Sequence, residues 1–153
     1  METSDQIRKT LIALFNAQNL ASLCTQQDGQ PYGSLVAFYA ADDLRRLFFV
    51  TAKTTRKFGN LIADSRVAVL INNSTNQTTD FHAAVAVTAV GKAEEITGTE
   101  KQKVLKQYLT KHPYLEDFAR APTCALVGVS IQSYYLVRNF QNVSELHIHP
   151  NAT

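Results

Sequence analysis

The stretch Leu47-Phe48-Phe49-Val50-Thr51-Ala52-Lys53-Thr54-Thr55-Arg56-Lys57-Phe58-Gly59-Asn60-Leu61 changes character halfway along. Its first part is apolar and rich in β-forming residues, so it reads as a strand that ends on the hydroxyl of Thr51. Hydroxyls and cations follow within six residues, and Phe58, Leu61 and Ile62 then fall on one helical face. A strand running through a cationic turn into a helix is the kind of site a phosphate monoester needs. Arg56 can give a forked pair of hydrogen bonds, Lys57 and Lys53 add charge, and Thr51 and Thr55 add neutral donors. Main-chain N–H groups at the start of the helix point the same way. The same residues would also serve as a solvated basic turn, and the pattern alone leaves both readings open.

Working outward, the periodicities predict alternating strands and connecting helices. An N-terminal helix capped by Ser4 buries Ile7, Leu11, Leu14 and Phe15. Strands are expected over 21–25, 31–40 and 46–51, with Asp28-Gly29 as a tight turn between the first two. A short helix is expected over 54–64, a strand over 66–71 and a polar loop over 72–80. A long Ala/Val strand opens at His82 and runs to 93, followed by an amphipathic helix over 99–111 that Pro113 ends. A helical turn at 114–118 and strands over 123–137 and 143–149 complete the chain. Six or seven strands with helices in the connections indicate a mainly β, α+β domain built on a small antiparallel barrel, spanning 1–153 as one unit.

Several classes are disfavoured. Apolar residues make up 45% of the chain and charged residues 18%, which is enough apolar content for a core and too much for disorder. The formal net charge is +2 with no basic tract, which argues against a nucleic-acid module. The first residues lack the pattern of a secretory signal, and no apolar run approaches the roughly 18 residues of a membrane span. A cytoplasmic protein with no membrane partner is expected. Cys24 and Cys124 sit in apolar, strand-like runs and read as reduced core thiols. No Ser-His-Asp or Cys-His order suggests hydrolysis, so no catalytic side chain is named. His147 and His149 alternate and would share a strand face, but no third ligand is evident and no metal site is assigned.

Thr51, three residues, then Thr55-Arg56-Lys57 resembles the FMN-phosphate segment of the pyridoxamine 5′-phosphate oxidase-like family, in which Thr, three residues and Ser-Arg-Lys follow an apolar strand. Asn60-Leu61 with Asp64-Ser65-Arg66-Val67-Ala68-Val69, and Gly29-Gln30-Pro31-Tyr32-Gly33-Ser34 upstream, are similar to further segments of that family. The resemblance runs from about residue 7 to 133. It implies an FMN-binding split β-barrel with flanking helices, working as a homodimer with flavin at the interface. It places Ser34, Leu35 and Val36 beside the flavin ring, and Val50, Thr51, Lys53, Thr55, Arg56 and Lys57 around the phosphate. The implied activity is that of an oxidoreductase on a small-molecule substrate, with a reduced nicotinamide as candidate electron donor. The alternative is a non-catalytic flavin- or haem-binding protein on the same barrel, with His147 or His149 toward haem. Three departures matter. His112-Pro113-Tyr114-Leu115-Glu116 lacks the oxidase's Arg-Pro-x-x-Ser, Ala86 stands near the family's Gln, and His147-Ile148-His149-Pro150 replaces Arg-Leu-x-Pro. The oxidase's substrate-phosphate site is therefore not expected, and neither is oxidation of vitamin B6.

Overall fold

The computed structural model describes residues 2–149. Among these, seven strands alternate with five helices: α1 (Ser4–Ala17), β1 (Leu20–Gln27), β2 (Gln30–Ala40), β3 (Arg46–Ala52), α2 (Arg56–Ala63), β4 (Arg66–Asn72), α3 (Asp80–Ala83), β5 (Val85–Ile96), α4 (Gly98–Lys111), α5 (Glu116–Arg120), β6 (Cys124–Arg138) and β7 (Asn142–His147). A 3-10 turn, Pro113–Leu115, joins α4 to α5. Pairing is antiparallel throughout, in the order β3-β2-β1-β4-β5-β6-β7, and β3 also pairs with β6. That last pairing closes six strands into a barrel, as expected, with β7 continuing along the β6 edge beyond β3.

The local chemistry explains most boundaries. Asp28 and Gly29 both have positive φ, 54° and 80°, which is the tight turn that matches strand twist in a two-residue hairpin. Gly91 sits where β5 and β6 shift register; a Cβ there would lie 2.1 Å from the Ser130 carbonyl oxygen, so only glycine fits. One face of each barrel strand points inward, and Leu23, Phe38, Phe49, Val69, Val87, Val127 and Tyr134 share a single core with Leu11 and Phe15 of α1. A second cluster lies outside the barrel wall, where Val104, Leu105 and Tyr108 of α4 cover Phe48, Val50 and Leu126.

Some expectations are corrected. The α1 cap is Thr3, not Ser4: its side chain accepts from the Gln6 N–H while the Gln6 side chain accepts from the Thr3 N–H, the reciprocal box that a Thr-x-x-Gln spacing allows. Cys24 is exposed, not a core thiol. Leu23 and Thr25 take the inward positions of β1, so the alternation turns Cys24 out; Cys124 is buried as expected. His82 does not open a strand, because residues 80–83 form one helical turn and β5 begins at Val85. β7 ends at His147, so His149 lies past the strand, and Pro150 lies outside the described residues. Among the described residues no helix is long and apolar enough to cross a membrane.

Candidate functional site: the opening between β2 and β3

The barrel is split along one seam. β2 and β3 pair only at Phe38–Phe49, Tyr39–Phe48 and Ala40–Leu47. Continuing that register would set Ala37 against Val50 and Val36 against Thr51, yet these pairs do not form. β2 below Phe38 keeps β1 on one side, and β3 beyond Phe49 keeps β6 on the other. Two unpaired main-chain edges therefore face an opening, the arrangement that invites a ligand or another chain.

Helix α4 holds the seam where pairing stops. The Tyr108 hydroxyl donates to the Ala37 carbonyl at 3.0 Å, and its oxygen accepts from the Val50 main-chain N–H. His112 Nε2 lies 2.7 Å from the Phe38 carbonyl. Side chains from α4 and its C-terminus thus take over from the strand ladder as β2 and β3 diverge. Burial pushes the Tyr108 hydroxyl up to about 12, so it stays a neutral donor at physiological pH. Neither residue was singled out by the sequence, where Tyr108 reads as one more apolar helix position. Only the end of the β2–β3 pairing gives it another role.

The expected site residues divide into three groups. Ser34 and Val36 occupy the inward face of β2, Val36 buried in the core. The Ser34 oxygen is buried with no hydrogen-bond partner among the described residues, an unusual state for a hydroxyl. Leu35 points outward and is 64% exposed. Val50 is buried under α4, so it offers the opening only its main chain. In the second group, the hydroxyls of Thr51 and Thr55 lie 3.0 Å apart, and Thr55 donates to the Ala52 carbonyl while accepting from the Phe58 N–H. The expectation of two free donors is revised: these hydroxyls turn their protons onto the Ala52 carbonyl and each other, and the Thr55 oxygen caps α2 by accepting the Phe58 N–H. Lys53 pairs with Glu95 at 3.8 Å and is directed toward β5.

The third group is Arg56 and Lys57. Both stand on the first turn of α2, and no carboxylate pairs with either among the described residues. With the Phe58 N–H bound to the Thr55 side chain and the Gly59 N–H to its carbonyl, the N–H groups of Arg56 and Lys57 are left for an anion. The Arg56 guanidinium lies 5.6 Å from the Tyr32 ring centroid.

A different cavity of about 540 Å³ is lined by Arg45, Arg46, Lys92, Ile131, Ile148 and His149, among others. It combines cations, the Asp43 carboxylate, two isoleucines and one imidazole, with Arg45 paired to Asp43 at 3.8 Å and Arg46 to Glu100 at 3.2 Å. His147 is less free: Nδ1 lies 2.8 Å from the Ser133 hydroxyl and Nε2 lies 3.1 Å from Glu145.

The sequence model of the pyridoxamine 5′-phosphate oxidase family matches residues 7–138 of the chain. Among curated proteins no match is found. Solved structures share the fold. A haem-binding protein from Mycobacterium smegmatis superposes with a TM-score of 0.81 at 17% identity, over 96% of this chain and 59% of that one. General Stress Protein 26 from Bacillus anthracis gives 0.66 at 18%, over 93% and 98%. An FAD-binding protein from Mesorhizobium loti gives 0.65 at 16%, over 84% and 91%. The chain thus spans about three fifths of the haem-binding relative. At these identities the likeness is one of fold, and the ligand has to be argued from the site.

Proposed function

The chain belongs to the pyridoxamine 5′-phosphate oxidase family, and from that premise we propose that it is a cofactor-binding split-barrel protein that takes flavin mononucleotide at the opening between β2 and β3. One observation carries the reading: Arg56, Lys57 and two free N–H groups converge on one turn beside a strand edge that the barrel leaves unpaired. The residues fit the group. A phosphate dianion suits the cations and helix start, and the partnerless Ser34 hydroxyl on the β2 side suits the polar atoms of a flavin ring. In this reading Arg56 and Lys57 hold the phosphate, the Thr51–Thr55 pair fixes the turn, and Tyr108 and His112 keep the seam at its width. The flavin, when bound, supplies electron transfer, since cations, hydroxyls and apolar groups bind and orient but do no redox chemistry themselves. Binding is therefore the core of the proposal, and turnover of a small molecule with a reduced nicotinamide is its extension. The FAD-binding relative supports a flavin on this fold.

A second reading is haem. Its specific support is the His149 cavity, where Lys92 suits a propionate, Ile131 and Ile148 suit the macrocycle, and the imidazole suits iron, while Arg45 and Arg46 are already paired with Asp43 and Glu100. The haem-binding relative points the same way. Titration of the purified protein with FMN and with haemin separates the two. A shifted flavin spectrum at micromolar FMN supports the first. A Soret band lost in a His147→Ala/His149→Ala variant, with no response to FMN, replaces it with the second.

A further inference from the structure

We propose that the recess between the β1–β2 hairpin and α2 is an adenylate subsite, so that the flavin bound in full is the dinucleotide, FAD. The inference rests on the flavin-phosphate reading of Arg56 and Lys57 and extends it past the phosphate. The recess holds about 360 Å³ and is lined by Gln27, Asp28, Gln30, Tyr32, Arg56 and Asn60, a volume near the lower end of the roughly 300–1,000 Å³ typical of small-molecule sites. Arg56 belongs to both places, because it stands at the start of α2 and also over the Tyr32 ring. A phosphate chain gripped by Arg56 therefore has a continuation ready on its far side.

The recess is built by fixed walls. The Gln26 amide donates to the Asp64 carboxylate at the end of α2, and its carbonyl oxygen accepts the Gly29 N–H at 2.9 Å. Asn60, 2% exposed, donates from Nδ2 to the Thr25 hydroxyl at 3.0 Å. The hairpin tip is thereby pinned to both the middle and the end of α2.

The lining chemistry selects the ligand. Tyr32, 39% exposed, offers an aromatic face for a base. Asp28 at the hairpin tip is an acceptor for a ribose diol, the role an acidic residue plays for adenosine ribose elsewhere. Gln27 and Gln30 bring amides, which match the donor–acceptor edge of adenine, and the Asn60 carbonyl oxygen is not used by its bond to Thr25. Of the charged lining residues, Arg56 lies at the split and Asp28 at the tip, so the ligand should put its phosphates at Arg56 and its neutral, hydroxyl-bearing end at Asp28. The recess is too polar for an isoalloxazine or a macrocycle, and Asp28 opposes a 2′-phosphate.

Calorimetric titration with FMN, FAD and ADP tests this. The expected result is FAD at least tenfold tighter than FMN, with ADP binding on its own and displaced by FAD. Tyr32→Leu and Asp28→Asn should each remove most of that advantage while FMN affinity stays within twofold, and Tyr32→Phe should keep it. If FMN binds but FAD is no tighter, or the variants change nothing, the subsite is wrong and the flavin reading stands. If neither flavin binds but ADP does, sensitive to Tyr32→Leu, the flavin reading falls and the adenylate subsite survives. If none of the three binds, both fall.

Discussion

Arg56 and Lys57 carry the proposed chemistry, and a double Arg56→Ala/Lys57→Ala variant isolates it. Each charge-assisted contact to phosphate is worth about 1.5–3 kcal/mol, so loss of both should weaken FMN by several kcal/mol. Riboflavin has no phosphate and should lose far less. Parallel titrations of the two ligands check this; an unchanged FMN affinity would remove the phosphate site from the turn. His112 makes a second prediction at the same scale. Burial holds its imidazole below the ordinary value of 6.5, an effect the Phe38 carbonyl partly offsets and Lys111 reinforces. A lowered folded-state value means the unfolded chain binds the extra proton first as pH falls. The stability tied to neutral His112 is therefore present above about pH 6.5 and lost on acidification below it. Thermal melts of wild type and His112→Gln between about pH 7.5 and 5 should show a shallower acid loss in the variant. Equal slopes would assign the acid sensitivity elsewhere.

At the scale of elements, the seam between β2 and β3 depends on α4. Tyr108→Phe keeps the ring in its cluster but leaves the Ala37 carbonyl without its side-chain donor, which should cost about 1–3 kcal/mol. Chemical denaturation measures this, and the loss should come with weaker cofactor binding, because the edge of the opening is no longer held. A stability loss with cofactor affinity intact would make Tyr108 a packing residue only. This seam also marks how far the sequence could be read. The strands and helices follow from local alternation and period, and Thr51, Thr55, Arg56 and Lys57 share a turn because a strand end and a helix start adjoin in sequence. The split itself depends on where two strands stop pairing, and the side chains that bond β2 there, Tyr108 and His112, lie some 70 residues from their partners. No local pattern announces it. Cys24 shows a finer limit: composition makes β1 apolar, but only its register against β2 and β4 decides which face Cys24 takes. The use of Thr51 and Thr55 inside the turn was likewise hidden, since a hydroxyl that could donate outward in sequence terms finds the Ala52 carbonyl first.

Among the described residues, the outward face of the sheet forms an uncovered flank. The outward face of β1, β2, β4, β5, β6 and β7 carries Leu20, Leu35, Leu70 and Val143, 51%, 64%, 37% and 59% exposed, beside the half-buried Ala68, Thr88, Val90 and Tyr135. The helices do not account for it: α1 joins the core within the barrel, and α4 packs against the outside of β3 and β6. A sheet face with these exposed apolar side chains, interspersed with Ser22, Thr88 and Glu145, suits an interaction surface. Covering it with a second copy would bury the same patch twice about a two-fold axis, and the Leu35 side of β2 would bring the partner to the rim of the opening. A homodimer is therefore proposed, with cofactor binding and association linked. Light scattering should give a mass near twice the 17.0 kDa of the chain, and FMN should raise the melting temperature while shifting any residual monomer toward dimer. Leu70→Lys, at the middle of the exposed face and outside the core, should produce monomer that still folds but binds FMN more weakly. A mass of one chain for the FMN-bound wild type would refute the two-fold interface while leaving the Arg56–Lys57 site intact, because that site is assembled within a single chain.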